Sequence, residues 1–166
     1  MILKNLCIIT ALGLVATPVA GLSCLPHSVT DTYQRLDAQD TRYVVVHGTL
    51  SFDQGLVPTV DPANQASTPQ STEIPAHFVG KSLGKKGFTR DFATDLTLDL
   101  RCAGPWCAGA KTGTDYLAFL ARNTEGEFRV TLGPCGGDGF ADPTAEQLEQ
   151  AHTCFTGGPC VAKFSQ

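Results

Sequence analysis

The chain has 166 residues, a formal net charge of −4 and seven cysteines. Its length corresponds to a single domain. Because the net charge is negative and no run of basic residues compensates for it, nucleic acid and anionic membrane surfaces are excluded as favoured partners.

Residues 1–21 have the features of a secretory signal peptide. One positive charge, Lys4, precedes the apolar stretch "LCIITALGLVATPV", which is shorter than the ~20 residues of a membrane span. Val19 and Gly21 suit the two recognition positions of a signal peptidase, which predicts cleavage after Gly21, with cleavage after Ser23 as the alternative. We therefore expect a secreted or periplasmic protein with no membrane span and one mature domain at 22–166.

The cysteines beyond residue 21 indicate disulfides. They are Cys24, Cys102, Cys107, Cys135, Cys154 and Cys160. An even set in a small exported chain is typical of three disulfides, and spacing alone leaves 15 pairings open. Lipoprotein anchoring at Cys24 is the less favoured alternative, because it would leave an odd thiol and because Gly21 occupies the place of a Leu-like residue.

The first half of the mature chain predicts a helix, a strand and a long loop. Val29, Tyr33 and Leu36 share one helical face, and Ser28 or Thr30 can cap that helix. Alternating apolar residues in "RYVVVHGTLSFD" predict a strand, in which Gly48 suggests a bulge or bend. Four prolines and few large apolar groups predict a surface loop at 54–75. The glycines in "AHFVGKSLGKKGF" then predict a short, irregular strand and turn.

The second half predicts three further strands and a helix. In "ATDLTLDLRC", Leu96, Leu98 and Leu100 are predicted to point to one face of a strand, and the alternating polar residues, including Asp99, to the other. "DYLAFLARN" and "EFRVTLGPC" are predicted to form a hairpin with its turn at 123–126, and "CGGDGFAD" is interpreted as a turn. A helix follows, capped by Asp142. Its predicted inner face comprises Ala145, Leu148, Ala151 and Phe155.

The order of these features resembles the netrin-like module, the OB-fold domain of the tissue inhibitors of metalloproteinases. The resemblance rests on "CLPH", on "YVVVHGTL" after a short helix, and on "WCAGAKTGTDYLAFL", "FRVTLGPC" and "TAEQLEQAHTC" in that order. It implies an all-β, five-stranded OB-fold, a Greek-key β-barrel with a short N-terminal helix and a C-terminal helix, stapled by disulfides.

The resemblance also implies a disulfide scheme and a departure from the family's mechanism. It implies Cys24–Cys135, and leaves Cys154–Cys160 and Cys102–Cys107 as the remaining pairs. The inhibitors chelate the protease zinc through an N-terminal cysteine two places before the cysteine that Cys24 matches. Leu22 stands in that place here. We therefore expect Cys24 to be a structural staple and expect no strong inhibition of metalloproteases.

No convincing catalytic or metal site is present in the sequence, so we expect no enzyme activity, no metal and no cofactor. His27, His47, His77 and His152 lack metal-site spacing and are interpreted as surface or rim residues. Ser28, His47 and Asp99 are the residue types of a catalytic triad, but they lack the sequence context of a nucleophile.

The sequence thus predicts an exported, non-enzymatic binding module. Its partner is expected to be a protein in the same compartment, bound through the barrel rim at Cys24, Leu25, Pro26, His27 and Trp106. The alternatives are an inhibitor or accessory protein of an exported protease or other hydrolase, and a small-ligand carrier. The carrier is less favoured because a five-stranded barrel is filled by its own side chains.

Overall fold

A computed structural model of the protein describes residues 22–161. The predicted signal peptide at 1–21 lies outside these residues. Strands dominate, and two helices flank them. The elements are α1 (Val29–Asp37), β1 (Arg42–Phe52), β2 (Ser71–Gly84), β3 (Gly87–Ala103), β4 (Trp106–Cys107), β5 (Thr114–Arg122), β6 (Phe128–Gly133), β7 (Gly136–Gly137), β8 (Gly139–Ala141) and α2 (Ala145–Phe155).

The five longest strands form a closed ring of hydrogen-bonded neighbours. β1 pairs with β2 and β5, β2 with β3, β3 with β6, and β6 with β5. All of these pairs are antiparallel except β3–β6, which is parallel. The three short strands extend the ring at its margins, where β4 pairs with β3, β7 with β6 and β8 with β5.

The ring encloses the larger of two apolar cores. Leu96, Leu98 and Leu100 all lie in it, which confirms the alternation predicted for β3. From the other strands, Val46, Leu50, Ile74, Phe78, Leu120 and Val130 fill the interior. Each such side chain contributes about 1.5–3 kcal/mol through removal of apolar surface from water.

A second core lies between the ring and the two helices. Val45, Leu117 and Phe119 are buried on the outer side of β1 and β5, against Val29 and Leu36 of α1. These two strands are therefore buried on both faces, which explains the uninterrupted apolar runs "VVV" and "YLAFL". Ser28 caps α1 by accepting a hydrogen bond from the Asp31 amide at 3.0 Å.

The C-terminal helix differs from its prediction. Thr144, not Asp142, is the N-cap, because Thr144 and Gln147 form a reciprocal capping box. The inner face is set by Leu148, Ala151 and Cys154, and not by Ala145 or Phe155. Ala145 is exposed, and Phe155 is 42 % exposed because it lies one residue beyond the buried Cys154.

The predicted loop at 54–75 is too long, and the strand predicted after it is correspondingly longer than expected, although it does contain an irregularity of register and does end in a turn at 85–86. The loop ends at Gln70, and β2 runs from Ser71 through Gly84. Pro75 is compatible with this strand because β1 pairs only with 76–82, so Pro75 has a neighbour on one side only. The residues interpreted as a turn at 135–142 also contain two short strands, β7 and β8.

Gly48 does not mark a bulge, because β1 keeps an unbroken register with both neighbours through this position. It faces Gly80 of β2, and an added Cβ at Gly48 would lie 2.5 Å from the Cα of Gly80. Glycine is required here because the two backbones approach closely. The irregularity in register lies instead between Ser82 and Leu83.

Asp99 points away from the leucines of β3, as the alternation predicts, and it is nevertheless fully buried. The Ser71 hydroxyl donates to its Oδ1 at 2.6 Å. The guanidinium groups of Arg101 and Arg129 cover its Oδ2, at 2.7 and 3.5 Å. A charged residue can alternate outward on a strand and still be buried when long side chains on the neighbouring positions fold over it.

The six cysteines form the pairs that the resemblance implied, Cys24–Cys135, Cys102–Cys107 and Cys154–Cys160. We call the end of the ring that holds the first two pairs the stapled end. The chain segments at this end are 53–70, between β1 and β2, and 108–113, which leads from β4 to β5. The β2–β3 turn at 85–86 and the β5–β6 turn at 123–126 lie at the opposite end.

Candidate protein-binding site

The segment before α1 is fixed to the stapled end by a disulfide. Cys24 is joined to Cys135, which follows β6 by two residues. The separation of 111 residues makes this the longest of the three disulfide loops. The predicted staple role of Cys24 therefore agrees with its position, since the bond ties the N-terminal segment to the end of a ring strand.

His27 provides a second anchor three residues later. Its ring stacks on Phe140 with centroids 4.0 Å apart and an interplanar angle of 8°. On the other side of the ring lies the backbone of Gly136, where an added Cβ would be 2.5 Å from His27 Nδ1. His27 Nε2 lies 2.9 Å from the Gly137 carbonyl oxygen and 3.2 Å from both the Gly137 amide nitrogen and Thr32 Oγ1.

His27 thus lies at the rim, as predicted, but its ring is half-buried between Phe140 and Gly136. Burial lowers the pKa of His27 below its usual 6.5, since removal of water disfavours the charged imidazolium. The nearby Arg35 lowers this pKa further, whereas the bond to Gly137 and the carboxylates of Asp138 and Asp31 oppose the shift.

Leu25 lies between these two anchors and is 87 % exposed. Pro26, which follows it, is exposed as well and restricts the backbone on its N-terminal side. A large apolar side chain is thus presented to solvent by a backbone that is fixed before it at Cys24 and after it at His27. Such preorganisation reduces the entropy cost of binding.

Trp106 lies at the same end of the ring. It stands in the β3–β4 hairpin beside the Cys102–Cys107 disulfide, and its indole packs over Gly104 and is 39 % exposed. β3 and β6 are parallel neighbours, with Leu100 opposite Leu132, so their carboxyl ends point the same way. The hairpin of Trp106 and the Cys24–Cys135 staple therefore extend from adjacent strand ends.

The segment at 53–70 contributes to this end from the other side of β3. The Cys102 amide donates to the Gln70 carbonyl at 3.0 Å, which places the end of the segment beside the second disulfide. Gln54 is tied to 108–113 by bonds to the Ala110 carbonyl and the Thr112 amide. Leu56 of this segment is 48 % exposed.

The residue types considered for catalysis are not brought together. Ser28 bonds to Asp31, His47 makes an edge-on contact with Phe88, and Asp99 is enclosed by Arg101 and Arg129. Within residues 22–161, no three histidine, cysteine or acidic side chains are grouped in a way that would hold a metal ion.

No protein-family model, curated protein or solved structure matches the chain. In the part of the chain that the structure describes, no helix combines the length and apolar character needed to cross a membrane.

Sequence reasoning missed the role of His27 and the reason for the glycine pair after Cys135. Gly136 leaves room for the His27 ring. Gly137 packs against β6, where an added Cβ would lie 2.8 Å from the Cα of Leu132. The adjacent glycines in "CGGDG" were the available signal, because neighbouring glycines often mark a close approach of other groups to the backbone.

Proposed function

We propose that this chain is an exported, non-enzymatic binding module that recognises a protein through the stapled end of its barrel. The observation that carries the proposal is the exposure of Leu25 between two fixed neighbours. An exposed leucine loses water on binding, and a fixed backbone spares the ordering cost of ~1–2 kcal/mol per residue. Trp106 supplies a second apolar anchor of a type enriched in interface hot spots.

The barrel itself is proposed to be a five-stranded OB-fold of the netrin-like kind. Support comes from the ring order β1–β2–β3–β6–β5 and from the parallel pairing of β3 with β6. The helix before the ring and the helix after it, together with the N-terminal staple, add to this support. An experimental structure of the mature chain that paired β3 with β5 instead of β6 would contradict the assignment.

An inhibitor or accessory protein of an exported hydrolase is a narrower version of the same proposal, since it would use the same surface. The segment Cys24–His27 favours it, because it is held at both ends and its exposed side chains can enter a cleft. We propose that any such inhibition is not directed at zinc, because Leu22 stands where the inhibitors have their chelating cysteine.

Affinity measurements on matched substitutions test the proposal. The partner would first be captured from the exported fraction with the mature chain, identified, and purified. We expect Leu25→Asp to weaken its binding at least about tenfold, because a buried apolar hot spot is worth 2 kcal/mol or more. Val79→Asp is the matched control, since Val79 is 54 % exposed on the outer side of β2. Equal affinities for Leu25→Asp and the unaltered chain would refute the proposed surface.

A further inference from the structure

Two arginines stand side by side at the end of the ring opposite the stapled end. Arg42 begins β1 and Arg122 ends β5, and the antiparallel register places them directly opposite each other. Residues directly opposite in such a pair project to the same side of the sheet. The pair two positions further along is Val44 and the fully buried Leu120, which face the interior of the ring. Both arginines therefore project on the inner side, at the mouth of the barrel.

Neither guanidinium forms an ion pair with the described part of the chain. Within residues 22–161, neither has a carboxylate within 4.0 Å, whereas Arg101 of β3 has one and Arg129 of β6 has two. Like charges directly opposite each other destabilise a sheet. The pair therefore carries a cost of folding that a bound anion would remove.

The guanidinium of Arg122 is held in place. Its Cζ lies 5.6 Å from the centroid of the Phe128 ring. On the turn side is Gly126, where an added Cβ would be 3.4 Å from Arg122 Nη2. A cation–π contact thus holds the guanidinium at the Phe128 ring, and the lack of a side chain at Gly126 leaves room for it. It lines a cleft of about 950 Å³ together with Arg42 and the turn at 123–126.

We infer that Arg42 and Arg122 bind one compact, doubly charged oxyanion group, a phosphate or a sulfate. Two guanidinium groups that line one cleft offer several N–H donors in planar forks, which match the oxygens of such a group. Asp40, Glu125 and Glu127 also border the cleft. These carboxylates would repel a long polyanion, so the site accommodates a single group and not a nucleic acid or a polysulfated chain.

This site is independent of the proposed protein-binding surface, because the two lie at opposite ends of the ring. Loss of one is therefore expected to leave the other intact.

Isothermal titration of the mature chain with sodium phosphate and with sodium sulfate, at constant ionic strength, tests the inference. We expect saturable binding of at least one of these anions at one site per chain. Arg42→Gln and Arg122→Gln should each weaken it by about tenfold or more, since each removes charge-assisted hydrogen bonds. Arg90→Gln is the matched control, because Arg90 is an exposed arginine of β3 that also has no carboxylate within 4.0 Å among the described residues. The affinity of Arg90→Gln for the anion should stay within about twofold of that of the unaltered chain.

The melting temperature provides a second readout. Without added anion, Arg42→Gln should melt at the same temperature as the unaltered chain or higher, because it relieves the repulsion with Arg122 and leaves the cation–π contact of Arg122 with Phe128 in place. At the same anion concentration, the unaltered chain and Arg90→Gln should gain more thermal stability than Arg42→Gln and Arg122→Gln. The inference is overturned by the absence of saturable phosphate or sulfate binding, by equal loss of affinity in Arg90→Gln, or by equally tight binding of acetate. Glucose 6-phosphate, titrated in parallel, reports whether an esterified group enters the cleft as well as the free anion.

Discussion

His27 is the residue on which the conformation of the N-terminal segment depends most directly. Its imidazole fills the space between Phe140 and Gly136 in the neutral form. The pKa of His27 in the folded chain is lowered by burial, so the unfolded chain takes up a proton first as the pH falls through about 6.5. The stability from this group is complete above that pH, and it is lost as the pH drops toward the folded-state pKa.

We therefore expect the free energy of unfolding to fall between about pH 7.5 and pH 5.5, and to fall less in His27→Gln. Urea denaturation at both pH values measures this difference. His77→Gln serves as the control, because His77 is half exposed and pairs with Asp95 on the outer face of the sheet. If His27→Gln retained the full pH dependence of the unaltered chain, the buried imidazole would not be its source.

For individual residues, the sequence allowed burial to be predicted only where it follows from strand alternation alone. Leu96, Leu98 and Leu100 are buried as the period of two requires. Asp99 and His27 could not be predicted, because their burial depends on groups distant in sequence. Arg129 covers Asp99 from a different strand, and Phe140 receives His27 from the far end of the chain.

Among the elements, the segment between β1 and β2 divides into an anchored part and a free part. Gln54 bonds to the 108–113 segment, and Val57 packs against the larger core. Residues 61–67 are all exposed. The side-chain bonds of this stretch are local, such as Ala63 N–H to Asp61 and Ser67 Oγ–H to the Asn64 carbonyl. It therefore contributes little to the free energy of folding.

Limited proteolysis of the folded chain should cut first within 61–67, with later or no cutting in β2 at 71–84. Mass spectrometry of the fragments locates the cut. Replacement of 61–67 by a short glycine–serine linker should lower the melting temperature by only a few degrees, because loop closure depends weakly on length. An initial cut within 71–75 would mean that β2 begins later than Ser71.

The boundaries of the elements were predicted less well than their existence, for physical reasons. Pro75 and the glycines at 80 and 84 favour a loop locally, but pairing with β3 along 71–84 outweighs them. The positions of β5 and β6 were predicted correctly, because their apolar runs flank a turn at Asn123–Gly126. The N-cap of α2 is Thr144 and not the predicted Asp142, because Thr144 is followed three residues later by Gln147, which completes the capping box.

In the molecule as a whole, the ring and the helical layer are linked by the Cys24–Cys135 bond. It closes a loop with a separation of 111 residues, whereas Cys154–Cys160 spans six. In the chain-entropy model, these bonds contribute about 4–5 and roughly 2 kcal/mol, respectively. Replacement of Cys24 and Cys135 by serine should lower the free energy of unfolding more than replacement of Cys154 and Cys160. Urea denaturation of the two variants measures this difference. A larger loss on removal of Cys154–Cys160 would mean that strain or residual structure outweighs loop entropy here.

The pairing of the cysteines illustrates what the residues alone leave open. Spacing admits 15 schemes for six cysteines. The Cys24–Cys135 pair follows once the chain is arranged as a ring, because β6 and the N-terminal segment then meet at one end. We expected this pair from the resemblance to the netrin-like module, since local sequence periodicity does not indicate which distant segments meet.

The central claim is that Leu25, held between Cys24 and His27, contacts the partner directly. The most direct test places a photo-reactive amino acid at position 25, and in a second protein at position 79, and irradiates each with the exported fraction. We predict one discrete covalent adduct from position 25 and none from position 79. A partner that still binds but crosslinks only from position 79, or equally from both positions, would contradict the claim that the stapled end is the binding surface.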